Sequence, residues 1–128
     1  MAELPNALAG FNQLYRDYES KEVKRGYEFS LAQAEFRQLT QQCCIYCGKQ
    51  PSMERRSRMY RRAKVDGVRR TTTPYIYNGI DRKDNARGYI IDNCVPCCKT
   101  CNFMKGKLSY TEFLEHIERI AQYRKDHK

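Results

Sequence analysis

The sequence predicts a small α+β domain, held together by a metal as much as by a hydrophobic core. Three observations predict it: amphipathic helical runs at both ends, short β-forming runs between them, and cysteines in paired C-x-x-C spacings. A chain of 128 residues with a 41% apolar share buries a limited core. Seven cysteines are available to supplement it. Their odd number, their pairing and the lack of an N-terminal apolar run favour thiolates in a reducing, cytoplasmic setting over a secreted disulfide framework. No apolar run approaches the length of a membrane span.

Residues 1–42 read as an N-terminal helical region packed on the core, and 43–128 as the metal-binding part. Ala7, Leu8, Phe11, Leu14, Tyr15 and Tyr18 recur at helical spacing over residues 5–25. After Gly26, Ser30 with Gln33 reads as a capping box for a second helix whose inner face carries Leu31, Phe36 and Leu39. The run CCIYCGKQP then makes a tight turn. Residues 51–72 lack apolar periodicity and read as an exposed basic loop. PYIYNGIDR predicts a strand, KDNARG a turn, and GYIIDNCVP a returning strand. Ser109 with Glu112 caps a last helix lined by Phe113, Leu114, Ile117, Ile120 and Ala121. Both histidines, His116 and His127, lie in or after it and read as surface or packing residues.

The formal charge of +9 favours polyanionic partners, nucleic acid foremost. Most of that charge lies in the 51–72 loop, where Arg55, Arg56, Arg58, Arg61, Arg62, Lys64, Arg69 and Arg70 face only Glu54 and Asp66.

Two residues between thiolates let both sulfurs reach one tetrahedral zinc ion. Cys44 with Cys47 forms one such pair and Cys98 with Cys101 the other, the second running into a helix start at Asn102. Cys94 with Cys97 offers a competing register. In the preferred register Cys43, Cys94 and Cys97 are small buried apolar residues. A redox role would need a β-α-β setting that the sequence lacks.

A zinc knuckle, a hairpin, a second knuckle and a helix make a treble clef. The motifs CIYCG, GIDRKDN, DNCVPCCKTCN and the following MK resemble the HNH endonuclease superfamily, with its ββα-metal fold, in the subset with zinc knuckles around the hairpin. The resemblance spans roughly residues 44–105. It implies that Asp81 and Asn102 bind a catalytic Mg²⁺ or Mn²⁺, that Asn93 supports the hairpin, and that Cys44, Cys47, Cys98 and Cys101 hold structural zinc. It also implies DNA as the partner, RNA being the alternative, and an origin of the kind found in phages and mobile elements.

Arg82 stands where the family carries its catalytic histidine. Its guanidinium stays protonated and cannot take a proton from water, but it can hold a phosphate bidentately. The acceptor is then Asp84, one of Tyr75, Tyr77 and Tyr89, or a metal-bound water acting through solvent. The implied activity is phosphodiester hydrolysis by a metal-dependent endonuclease. The alternatives are a zinc module that binds nucleic acid without turnover and, third, a protein-interaction domain. On the first two readings Arg55, Arg56, Arg58, Arg61, Arg62, Arg69, Arg70, Lys99 and Lys105, joined by Lys107, contact phosphates.

Overall fold

Phe11, Leu14, Tyr15 and Tyr18 recur every three or four residues, and the helix they predict, α1, spans Pro5–Lys24. The computed structural model describes residues 5–57, 64, 65, 68, 69 and 73–128. Helix α2 (Gln33–Thr40) packs Phe36 and Leu39 against the aromatic face of α1, where Phe11, Tyr15 and Tyr18 meet the Phe36 ring at centroid distances of 5.3–6.0 Å. The α2 cap lies two residues later than expected. Ala32 is the N-cap, and its N–H donates to Glu35 Oε1 at 2.8 Å. Ser30 is instead drawn into a bridge, its N–H donating to the Tyr89 carbonyl at 3.0 Å.

Strand β1 (Met53–Arg55) pairs antiparallel with β4 (Tyr75–Tyr77), Met53 opposite Tyr77 and Arg55 opposite Tyr75. Helix α1 lies close on this ladder. A Cβ at Gly10 would collide with the Arg55 carbonyl oxygen, so glycine sets the approach. Between these strands a short ribbon pairs β2 (Lys64–Val65) with β3 (Val68–Arg69). Where an irregular loop was expected, residues 51–72 therefore contain strands. Arg58, Arg61, Arg62 and Arg70 lie outside the described residues.

The run PYIYNGIDR, expected as one strand, divides at Asn78. Its first half is β4; its second half, β5 (Gly79–Arg82), pairs antiparallel with β6 (Cys94–Cys97) in a separate ladder, Asp81 opposite Val95. Asn78 is fully buried and explains the break. Its N–H donates to the Thr40 carbonyl at 2.9 Å, and its Nδ2 donates to the carbonyls of Gln42 and Lys49 at 2.9 and 3.1 Å. One side chain thus ties the end of α2, the first cysteine turn and the strand junction together. The return strand is also shorter than expected, because Ile91–Asn93 form a 3₁₀ turn before β6 begins.

Helix α3 (Lys99–Lys105) follows β6 directly and ends at Gly106, whose φ of 53° suits glycine. Helix α4 (Tyr110–Asp126) starts at the expected box, in which Ser109 Oγ accepts the Glu112 N–H and Glu112 Oε1 accepts the Ser109 N–H. Two buried clusters result. The larger gathers α1, α2, β4, β5 and Tyr89. The smaller gathers Cys44, Cys97, Cys98, Cys101 and Phe113 at the other end of the β5–β6 ladder.

Candidate functional site

The first cysteine turn is built by backbone hydrogen bonds. Gly48 N–H donates to the Cys44 carbonyl at 2.9 Å and Cys44 N–H to the Lys49 carbonyl at 2.8 Å, with Gly48 at φ 78°. Ile45 N–H donates to the Pro96 carbonyl at 2.9 Å, which fastens the turn to β6. The second pair starts α3: Cys98 is the N-cap, and its Sγ accepts the Cys101 N–H at 3.4 Å. The Sγ atoms of Cys44, Cys47, Cys98 and Cys101 all lie within 4.8 Å of one another. Four thiols on two such turns are positioned to bind one metal ion, and the donor set is that of a closed structural zinc site.

Burial raises most of these thiols, and Cys44 alone is brought down by its backbone partners. Burial pushes the Cys44 thiol up, but backbone N–H groups of Cys98, Cys47 and Tyr46 outweigh it and bring it down to about 7. Burial and then the neighbouring thiols push Cys101 up, a crowding of like charge that a cation relieves. Burial pushes Cys94 up to about 12, and Cys97 still further up. Those two sit on β6 inside the two cores, whereas Cys43, expected to be buried with them, is exposed. Of the two registers, the structure assembles Cys44 and Cys47 with Cys98 and Cys101.

Asp81 is only 7% exposed, and each carboxylate oxygen has one partner, which leaves each a further lone pair. Tyr46 donates its hydroxyl to Oδ2 at 2.5 Å, and Lys105 Nζ lies 3.3 Å from Oδ1. Lys105 is 2% exposed and also donates to the Arg82 carbonyl at 3.3 Å. It was expected to meet phosphate from the surface. The turn of α3 carries it inward instead, where the Asp81 charge compensates its burial.

Asn93 supports the hairpin. Its Oδ1 accepts the Asp84 N–H at 2.9 Å, and its Nδ2 donates to the carbonyls of Asp84 and Gly88 at 3.1 and 3.0 Å. Arg82 serves the same loop: Nη1 donates to the carbonyls of Asn85 and Arg87 at 2.7 and 2.9 Å, while the guanidinium lies 3.7 Å from the Tyr27 ring centroid.

Asp81, Arg82 and Asn102 line one cleft of about 490 Å³. Its opposite wall is α1, which contributes Asp17, Tyr18, Lys21, Glu22 and Arg25. Sequence reading assigned α1 to packing alone and missed this wall. The signal was present as a polar stripe, Asp17, Lys21, Glu22 and Arg25, beside the aromatic face. Glu22 is 3% exposed and its carboxylate pairs with Arg25 Nη1 at 3.3 Å.

Of the proton acceptors considered, Tyr77 and Tyr89 line the cleft, whereas Tyr75 is buried against Thr40 with 2.8 Å between the hydroxyls. Asp84 faces a different groove. Burial, followed by the Glu22 charge and against the Arg82 charge, pushes Tyr89 up to about 12. Among the basic residues, Arg55 pairs with Asp17 at the cleft wall, Arg56 is half-buried, and Lys99 and Lys107 are exposed.

No helix among the described residues is long and apolar enough to cross a membrane. No protein-family model matches the chain. It is 35% identical over 109 residues to Uncharacterized protein R423 of Acanthamoeba polyphaga mimivirus, a match that covers 85% of this chain. The chain spans 16% of that relative's length. Among solved structures it is similar to the rare-cutting HNH restriction endonuclease PacI, with a TM-score of 0.55 over 88% of this chain and 78% of PacI, at 21% identity. The chain shares the fold of an HNH restriction endonuclease and carries on it a four-cysteine cluster positioned to bind a metal ion.

Proposed function

We propose that the chain is a metal-dependent DNA endonuclease of HNH type. The observation that carries this reading is the convergence of Asp81, Arg82 and Asn102 on one cleft beside the four-thiol centre. Zinc in that centre is structural. A carboxylate and an amide oxygen that leave most positions to water and phosphate are donors that suit Mg²⁺ or Mn²⁺, and Asp81 and Asn102 would hold that ion. When bound, it supplies charge for the phosphate oxygens and lowers the pKa of water.

The chain's own residues do the rest. Tyr46 and Lys105 fix the Asp81 carboxylate, and Asn93 fixes the loop that follows it. Arg82, positioned by two carbonyls and the Tyr27 ring, presents positive charge to the cleft for a phosphate. Glu22 takes the proton of the attacking water. Each carboxylate of the cleft is ion-paired, Asp17 with Arg55, Asp81 with Lys105 and Glu22 through both oxygens with Arg25, and of the three cations Arg25 is the most exposed and so the most readily displaced.

Supercoiled plasmid incubated with the protein and Mn²⁺ or Mg²⁺ tests the reading. Nicking is expected from the wild type, none from Asp81→Ala, and a fall of about 10²-fold in kcat for Glu22→Gln. Plasmid left intact across metals and pH would reject hydrolysis.

The second reading, a nucleic-acid-binding module without turnover, is favoured by Arg82 Nη1 being held by Asn85 and Arg87 and by the Lys105 ammonium on Asp81. It predicts salt-sensitive DNA binding that survives Asp81→Ala.

A further inference from the structure

Helix α3 holds an aromatic ring out in water. Phe103 is 81% exposed and Met104 beside it 57% exposed, although Phe11, Phe36 and Phe113 are each 2% exposed or less. A phenyl ring is among the groups a fold gains most by burying, and a surface helix position has no local need for one. Two lysines flank it. Lys99 lies one turn earlier on the same helix face, and Lys107 follows the helix end; both are exposed. The residue before the ring, Asn102, lines the cleft that holds Asp81 and Arg82.

Whatever covers Phe103 must also receive two ammonium groups. An apolar protein face, or the same face of a second copy, would desolvate those charges with nothing to pair them. A nucleic acid meets both demands, because flat base faces and phosphates alternate along one strand.

We infer that Phe103 stacks on a base turned out of the helical stack while Lys99 and Lys107 take the flanking phosphates. The preferred substrate is therefore DNA with an unpaired or weakly stacked nucleotide rather than a uniformly paired duplex. This rests on the nucleic-acid reading above and adds the substrate class to it. Opening a base costs least where pairing is already broken, so an exposed ring one residue along the helix from the cleft-lining Asn102 selects such sites.

The test compares full-length protein on a short fully paired duplex and on the same duplex with one bulged nucleotide, at fixed salt and without divalent metal. Wild type is expected to bind the bulged duplex about tenfold tighter. Phe103→Ala should abolish that preference while leaving affinity for the paired duplex within about twofold, and Phe103→Trp should keep it. A preference that survives Phe103→Ala overturns the inference. So does a wild-type dimer that Phe103→Ala converts to monomer, which would give the ring to a second copy. Equal binding of both duplexes by wild type removes this inference alone, and binding of neither removes the nucleic-acid reading with it.

Discussion

The hydroxyl of Tyr46 donates to Oδ2 of Asp81 at 2.5 Å, across 35 residues of sequence. Tyr46 lies between Cys44 and Cys47, so the turn that carries two thiols of the four-cysteine cluster also aims the carboxylate of the cleft. Burial, and then the bond to Asp81, push the Tyr46 phenol far up, so it remains a donor throughout the physiological range. Tyr46→Phe removes that donor and leaves a buried carboxylate oxygen unpaired, an expected loss of about 2 kcal/mol in a denaturant titration. Metal analysis should show the zinc content unchanged.

Chelation should act on the fold before it acts on the cleft. Three of the four cluster cysteines, Cys44, Cys98 and Cys101, belong to the smaller core around Phe113, so a cluster without an ion would leave crowded thiols inside that core. A strong zinc chelator is expected to lower the melting temperature steeply and to shift the far-ultraviolet circular dichroism. An unchanged melting curve would argue that the cluster is not metal-stabilised.

Arg82→Lys is not conservative here. Lysine cannot donate to the Asn85 and Arg87 carbonyls in the same fork or lie flat on Tyr27, and the expected cost is about 2 kcal/mol of stability. Arg82→His, which places an imidazole in the cleft, abandons the same two carbonyls. Any gain in cleavage should therefore come with a lower melting temperature.

Lys105 and Asp81 form a buried pair whose halves depend on each other. Lys105→Met should destabilise by about 3 kcal/mol, because it strands a buried carboxylate. Asp81→Asn combined with Lys105→Met should cost less than Lys105→Met alone. A double-mutant cycle in urea measures the difference, and simple additivity would show that the two are not coupled.

Alkali should unfold the chain from a defined threshold. Burial raises the phenols of Tyr18, Tyr46 and Tyr89, the last to about 12. Above about pH 10 the unfolded chain loses phenolic protons that the folded chain retains. The folded state then binds more protons, and stability falls from there through the folded pKa. Tyrosinate absorbance is expected to rise together with the loss of circular dichroism.

The legible parts of the chain were those written in local spacing. The cysteine pairs, the α1 face and the Ser109 box each follow from residues within one or two turns of each other. What stayed hidden depended on partners far away in sequence. Ser30 reads as a cap until Tyr89 arrives to bridge it; PYIYNGIDR reads as one strand until Asn78 is claimed by Gln42 and Lys49. Lys105 reads as a surface cation because only the fold reveals Asp81 behind it. The cleft wall on α1 was missed for the same reason, since a polar stripe on a helix looks the same beside solvent and beside a site.

The β5–β6 ladder is a two-stranded ribbon whose outer edges are already taken. Opposite residues Ile80 and Pro96 both turn their backbone groups outward. The Ile80 N–H donates to the Tyr18 hydroxyl at 3.3 Å, the Pro96 carbonyl accepts from Ile45, and Pro96 has no N–H to offer. Two residues on, Lys105 takes the Arg82 carbonyl. A foreign strand approaching either side finds these groups engaged, so the ribbon resists growth by strand addition. The cleft-lining hairpin of a chain this basic and this rich in tyrosine thereby carries its own protection against strand addition.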